Sequence, residues 1–561
     1  MNAAEPRPPQ TGERLEADVV VVGGGPTGLA AAHFLAGLGV RTVVLEQRPA
    51  PSGHPRATVI NSRTMELLRY LGVDAEVRRV GVPLPNTARI TWCTELAGTE
   101  LAALDVIESA ESLMRRAAIS PVLPVICSQN RVEALLVERL PANARVIRGV
   151  RAEELTRTPS GVRVTAAGER PLVVEARYAV LAEGLHGPLR ETVGLRRTAA
   201  TPLGRLLDIH FSADLSPWTA GRESALYWVM GSLVRGVLIT VDPARGEWLL
   251  EIPALTPEEE HTYFEEEVDH LKLIEAAIGT SVDGLRIHSV RNWVMGSTGL
   301  DSWRSADGRV LAAGDAAHTF PPTGGFGMNT GIQDAHNLAW KLAAVLHGGA
   351  PDALLDSYER ERRPVAEFNA RHSESNALQK RALLQSDVEQ AEFARNIEQH
   401  RPHFDFEGQA LGFTYAPGPG EPVVQDIVTY RPTARAGHRA PHAWLDRAGD
   451  RISTTDLNRS GFSLLTGPEG AVWQDVAQEA ATFLGLPLTA AVIAADGPHL
   501  RDVTGAFADV YALEGPEAVL VRPDGHVLAR LPGIAPRQEL RQAADRTVDS
   551  GRVPAGAEES S

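Results

Sequence analysis

The chain is 561 residues long with a net charge of −16 and 43% apolar residues, enough for two or three domains with cores of their own. Its acidic balance argues against a nucleic-acid partner, whose phosphates need a basic surface. Cys93 and Cys127 are the only cysteines, too few for a disulfide framework or a Cys-rich metal site, so no metal is expected. In chain order, residues 1–16 are polar and Pro-containing, without the apolar core of a signal peptide, and are expected to be disordered. Residues 18–22 form a β-branched run that predicts a buried parallel strand. Gly23-Gly24-Gly25-Pro26-Thr27-Gly28 then satisfies G-x-G-x-x-G and opens a helix over 29–38. Gly39 closes that helix, a second strand follows over 41–45, and Glu46-Gln47 stands at its end. The mechanics are those of a dinucleotide site: Gly23 for the tight turn, Gly25 for approach of a pyrophosphate to the helix start, Gly28 for close helix–strand packing, Glu46 for ribose hydroxyls. Residues 19–40 carry no charge over 22 positions, enough to cross a bilayer. Three glycines and Pro26 make that run a poor continuous helix, so no membrane span is predicted and a cytoplasmic location is expected.

Further along, Arg56-Ala57 precedes a helix over 60–72 that ends on a glycine, and Gln129 opens an amphipathic helix over 131–140. A buried strand over 173–181 leads to Glu183-Gly184, with Gly187 and Arg190 following. Residues 201–295 alternate as strands do. An apolar run ends in Gly314-Asp315, followed by a bend containing Pro321, Pro322, Gly324, Gly325 and Gly327. A helix is predicted to open near Met328-Asn329, with apolar Ile332, Ala335, Leu338, Ala339 and Leu342 at helical spacing. The glycines let backbone N–H groups approach a flat ligand. A helix start offers unpaired donors and partial positive charge, which suits an anion or a ring that becomes anionic. No Lys or Arg lies between Arg309 and Lys341. Residues 358–364 are expected on a charged helix behind the nucleotide domain, 374–400 on a solvated surface, and 401–436 in a linker around the Pro/Gly cluster at 416–422. Pro523-Asp524-Gly525-His526 between two apolar runs is a hairpin signal, and 546–561 is read as a disordered tail.

Taken together, these motifs resemble those of the single-component FAD-dependent aromatic hydroxylases, flavoprotein monooxygenases similar to para-hydroxybenzoate hydroxylase. Within them the look is that of bacterial oxygenases of aromatic polyketides and related secondary metabolites. The resemblance implies an α/β fold: a Rossmann-like βαβ FAD domain (17–200 and 286–400), an inserted β-sheet substrate domain (201–285, with 91–124 contributing), and a thioredoxin-like C-terminal domain (437–545). With no C-x-x-C, that last domain is expected to pack or dimerise rather than carry redox chemistry.

The resemblance also implies roles. Gly23, Gly25, Pro26, Thr27, Gly28, Glu46, Gln47, Arg56, Gln129, Glu183, Gly184, Gly314, Asp315, Pro322, Gly327, Met328 and Asn329 would hold non-covalent FAD. Pro321, Gly325, Met328 and Asn329 would lie against its reacting ring. The family pattern at the third motif is Asp-Gly, then Ser, then Arg; here Glu183 and Gly187 stand in for the Asp and Ser. NADPH or NADH would reduce the flavin from a transient site, and dioxygen would form a flavin C4a-hydroperoxide that oxygenates a phenolic, polycyclic substrate. Phe211, Tyr227, Trp228, Met230, Trp293, Met295 and Phe320 are candidates for the substrate wall, each with sheet-core packing as its alternative. His210, Arg235, His288 or Arg291 would polarise a phenol. Baeyer–Villiger, epoxidising or decarboxylating oxygenation, or oxidase chemistry, stay open, as does monomer against homodimer.

Overall fold

The computed structural model describes residues 13–107, 109–385, 397–496 and 500–549. Strand Glu13–Val22 is central in a seven-stranded sheet. It runs parallel to Thr42–Glu46 on one side and to Leu172–Leu181 on the other. Ala144–Arg148 and Val310–Ala312 extend the parallel part. The valine run is explained by burial of both faces. Val19 and Val21 pack under helices Pro26–Gly37 and Phe326–Leu346, while Val20 and Val22 pack with Val162 and Val164 of the antiparallel strand Gly161–Gly168. Strand order in this sheet puts the carboxyl ends of Glu13–Val22, Leu172–Leu181 and Val310–Ala312 side by side, where α/β sheets bind their ligands.

The second sheet has eight strands, with Arg286–Gly299 and Glu247–Pro253 flanking Thr201–Ser212, and with Arg89–Cys93 and Glu100–Asp105 at the far edge. Arg286–Gly299 was expected in the FAD domain. Its antiparallel register along the whole of Thr201–Ser212 assigns it here instead. Helices Pro257–Glu265 and His270–Ile278 contribute to the core on one face of this sheet, and the other face is turned toward the FAD domain.

The third sheet, after residue 440, has Phe462–Thr466 parallel to Leu488–Ala494 across helix Val472–Leu484. An antiparallel hairpin, Ala518–Val521 with Val527–Leu531, and helix Pro536–Asp549 follow. That is the thioredoxin-like arrangement expected, with the Pro523–His526 turn where the sequence put it.

Four boundaries differ from expectation. Residues 13–16 pair with 172–175 and so belong to the first strand; the rest of the expected N-terminal disorder lies outside the described residues. Residues 546–549 complete the last helix, and 550–561 lie outside. Residues 401–436 are packed rather than a linker: Gln409, Leu411 and Phe413 are buried, and Glu407 pairs with Arg116 at 2.8 Å. Helix Asp356–Gln385 continues well past 374 and buries Ser373, Asn376 and Leu384, so this part is no solvated surface; residues 386–396 lie outside the described residues.

Candidate active site

At the first strand's end, Gly23 has a φ of 110°, and a Cβ there would lie 2.2 Å from Ala182 O. A Cβ on Gly28 would lie 1.9 Å from Gly23 O. Both glycines are therefore required by contact within the protein. Gly25 differs: a Cβ would meet nothing within 4 Å, so no contact within the protein requires glycine there. Pro26 occupies the first helical turn, where a missing N–H costs nothing. Thr27 turns its side chain inward, where Cβ atoms on Gly314 and Gly331 would come within 2.5 and 2.2 Å of its Oγ1. What Thr27 offers a ligand is its backbone N–H. Glu46 Oε2 accepts from Gly24 N (2.7 Å) and Oε1 from Arg48 N (2.8 Å) and Nε (3.1 Å). Burial works against its charge, but these bonds hold it below the usual carboxylate range and leave further lone pairs for hydroxyls. Gln47 is exposed.

Several buried polar atoms around this turn lack protein partners: Arg48 Nη1, Ser128 Oγ, Glu133 Oε2, and Nη1 and Nη2 of Arg148. Gln129 Nε2 donates to Glu133 Oε1 (2.7 Å). Arg56 is exposed beside this turn, with Arg291 and Arg48 as like-charged neighbours and Glu133 and Asp315 as opposing ones. Arginines crowded together this way suit an anion. The unpaired donors, the open side of Gly25 and the acidic Glu46 fit the adenosine and pyrophosphate portions of FAD.

The second motif borders the same space. Asp315 lies just after Val310–Ala312 with its side chain exposed, and His318, Arg56 and Arg197 are the positive or titratable groups nearest its carboxyl. Its backbone oxygen accepts from Arg197 (2.9 Å). A Cβ on Gly327 would have one neighbour, Asp315 Oδ1 at 3.9 Å. The loop before the helix is pinned from behind: Ser373 Oγ lies 2.8 Å from both Pro321 O and Thr323 O, and its one O–H donates to either. Gly325, at φ 67°, caps helix Phe326–Leu346, and a Cβ there would lie 2.7 Å from Val59 Cβ. The helix starts two residues before the expected Met328 because this left-handed glycine ends the bend. Its free donors are therefore the N–H groups of Phe326, Gly327 and Met328, not that of Asn329. The Asn329 side chain holds the loop instead, donating to Val59 O (2.9 Å) and Gly325 O (2.6 Å) and accepting from Asn61 N (3.1 Å). Pro322 is half-buried. Phe320 stacks on His318, centroids 4.9 Å apart.

At the third motif, Glu183 accepts from the N–H groups of Leu189 (3.1 Å) and Arg190 (3.0 Å), while Arg190 reaches Gly184 O (3.2 Å). A Cβ on Gly187 would lie 2.0 Å from Glu183 Cγ. The longer acid occupies the space a serine would need, so the two departures from the family pattern are one coupled change.

On the substrate sheet, alternation divides the expected wall. Phe211 and Tyr227 point away from the FAD domain into the core with Ile274 and Ile278, so they are core residues and not wall. Trp228 and Met230 take the other face, with the Lys380 ammonium 4.9 Å over the Trp228 ring. Trp293 Nε1 donates to Asp208 Oδ2 (2.7 Å), and Met295 lies on the same strand, buried and paired with Gly204. Of the residues offered to polarise a phenol, His210 is on this face, its ring 4.9 Å from that of His288. Arg291 donates to Ser52 Oγ (3.2 Å), whereas Arg235 turns to Leu384 O (2.6 Å). Sequence reasoning passed over His54, Asp208, Ser289, Glu251 and Lys380. A signal existed for two of them: Asp208 and Glu251 are lone acids in otherwise apolar strand runs, paired side by side in register.

Residues 16–373 match the FAD binding domain family and 433–551 the aromatic-ring hydroxylase C-terminal family. The chain is 37% identical to the tetracenomycin A2 monooxygenase-dioxygenase of Streptomyces glaucescens, covering 95% of this chain and 97% of that one. Among solved structures, it is similar to the flavin-dependent monooxygenase PieE in complex with FAD and substrate (TM-score 0.84, 30% identity, covering 96% and 99%). It is also similar to aklavinone-11 hydroxylase in a ternary complex with FAD and aklavinone (TM-score 0.82, 30% identity, covering 95% and 99%).

Proposed function

The chain belongs to the FAD-dependent aromatic-ring hydroxylases, and from that premise we propose that it hydroxylates a polycyclic phenol of the aromatic-polyketide class, using dioxygen and NADPH or NADH. The observation that supports this reading is the nucleotide turn itself, with an open Gly25, unpaired buried donors, and Arg56 in charge range of Asp315, together with a substrate sheet that bears Trp228, Trp293 and buried polar groups on its face opposite the helical core. FAD, when bound without a covalent link, supplies the activation of dioxygen and the oxygen transfer.

The protein's own residues do the rest. Glu46 and the first helix start would orient the adenosine end; Asp315, with Arg56 and Arg197 as its positive neighbours, would accept from the ribityl hydroxyls. The N–H groups of Phe326, Gly327 and Met328 favour negative charge developing nearby, by about 0.3–1 kcal/mol, rising to ~2 when partly buried. No Lys or Arg is needed in the helix start itself. Trp228, Met230, Trp293 and Met295 keep the substrate's surroundings poor in water, which protects a reactive oxygen donor from hydrolysis.

The test is anaerobic flavin reduction by NADPH and NADH, followed by turnover of a panel of polycyclic phenols under oxygen-18. A product heavier by one labelled oxygen supports the reading, and a second labelled oxygen would extend it to repeated oxygenation. NAD(P)H oxidation that yields only peroxide across the panel would point to an oxidase. A flavin that neither nucleotide bleaches would reject the nicotinamide-driven reaction.

A further inference from the structure

Across the seam between the two large domains, three buried side chains meet with hydrogen-bonding capacity left over. His54, from the loop before Arg56, is 3% exposed; Asp208 and His210, from the near face of Thr201–Ser212, are each 7% exposed. His54 Nδ1 lies 2.8 Å from Ser289 Oγ, which fixes the ring and leaves Nε2 4.0 Å from Asp208 Oδ2. Asp208 Oδ2 takes the Trp293 indole N–H, and the His54 and His210 rings are 6.1 Å apart and nearly perpendicular. His54 Nε2, Asp208 Oδ1 and both ring nitrogens of His210 are buried without a hydrogen-bond partner. A buried polar group left without a partner is costly. Four in one place, on side chains anchored by Ser289 and Trp293, form a site that a ligand completes.

The chemistry of the site selects the ligand. Burial first, then neighbouring positive groups, hold both imidazoles down to about 4. Burial and the adjacent Glu251 push the Asp208 carboxyl well above its ordinary value. The site thus presents imidazole donors and acceptors beside a carboxyl group. It can give a hydrogen bond to a carbonyl oxygen and take one from a hydroxyl, while the guanidinium beside it, Arg291, paired in register with Asp208, is turned to Ser52.

We propose that His54, Asp208 and His210 form one socket that binds the hydroxyl–carbonyl edge of a hydroxylated quinone-type ring and thereby orients the substrate. The proposal rests on the reading of the chain as an aromatic hydroxylase, and it names the polar feature by which that enzyme would choose among flat substrates.

Binding to the FAD-loaded protein, read from perturbation of the flavin spectrum without turnover, tests it with a dihydroxyanthraquinone and with unsubstituted anthraquinone. The wild type should prefer the dihydroxy compound by about ten- to a hundredfold. Asp208→Asn and His210→Phe should bring that ratio close to one while FAD content stays at the wild-type level, and His210→Gln, which keeps a donor and an acceptor, should restore part of it. A wild-type ratio near one overturns the proposal. So does a variant ratio equal to wild type, or equal weakening toward both compounds, since a site filled by water or serving only structure would behave that way. Loss of FAD from these variants with the ratio unchanged would assign the groups to the cofactor instead. Should Asp208→Asn fail to fold, the two His210 variants carry the test. Oxygen-18 incorporation by the wild type is read separately, so hydroxylase activity without discrimination sinks the socket alone.

Discussion

At residue 187 the choice of glycine is dictated by a neighbour. A side chain there would strike Glu183, whose carboxylate caps the turn that carries Arg190. Gly187→Ser alone should therefore destabilise the protein by about 1–3 kcal/mol through overpacking. Glu183→Asp combined with Gly187→Ser should cost clearly less than the sum of the single changes; additive losses in urea titrations would show that the two positions are independent. Asp315→Ala removes a charge-assisted acceptor and should weaken FAD binding about ten- to a hundredfold, read by fluorescence titration. Gly23, Gly28 and Gly325 were legible in the sequence because each answers a local steric demand of a turn that a short motif records. Phe211 and Tyr227 were not separable from Trp228 and Trp293. Which face of a strand meets the cofactor depends on the sheet's placement against another domain, and no local pattern encodes that.

Among the elements, helix Phe326–Leu346 ties the most together. Its first turn faces the cleft, and Asn329 fastens that turn to residues 59–61. Asn329→Asp keeps the shape but sets a carboxylate against two carbonyl oxygens, so it should lower stability at least as much as Asn329→Ala, by roughly 1–3 kcal/mol. Gly327→Pro removes one free N–H within the first turn, at a position where an added Cβ meets only Asp315 Oδ1, at 3.9 Å. It should leave the fold intact and make the bound flavin harder to reduce, and an unchanged reduction potential would move the anion-favouring site elsewhere. The sequence announced this helix by its apolar spacing but misplaced its start, because the cap is a glycine fixed by Val59, far away in the chain. The same limit hid the packing of 401–436: a Pro/Gly-rich stretch reads as a linker unless its partners, such as Arg116 for Glu407, are known.

For the molecule as a whole, buried ionisable groups set both the domain seam and the response to acid. Lys341 pairs with Glu361 (2.7 Å), Glu361 with Arg522 (2.7 Å), and Arg522 with Asp524, joining the flavin-site helix and its neighbour to the C-terminal hairpin. Arg522→Met strips both acids of their main counter-charge and should cost about 3–5 kcal/mol in equilibrium unfolding. The buried histidines act in the same direction in acid as these paired carboxylates. Burial lowers His336 to about 3, and His442 and His526 to about 4. The unfolded chain therefore binds more protons than the folded one between those values and about 6.5. Stability should be full above about pH 6.5 and fall as pH drops toward 4, by up to about 1.36 kcal/mol per pH unit for each histidine. Melting temperatures that do not change between about pH 7.5 and pH 5 would mean that these rings are charged in the native state.

The shared core has a consequence for how the protein is made. Val19 and Val21, near the start of the chain, belong to the same apolar cluster as Phe462, Trp473 and Leu540, near its end. A ribosome delivers the N-terminal part long before the residues that cover it. The nascent chain must wait with part of its flavin domain uncovered, a state that invites association with other chains. Release of the last hundred residues, rather than arrival of the complete nucleotide motif, would then mark the point at which the enzyme becomes folded and able to retain its cofactor. Stalled chains ending before residue 440 should remain protease-sensitive and colourless, and chains tethered past residue 549 should turn yellow.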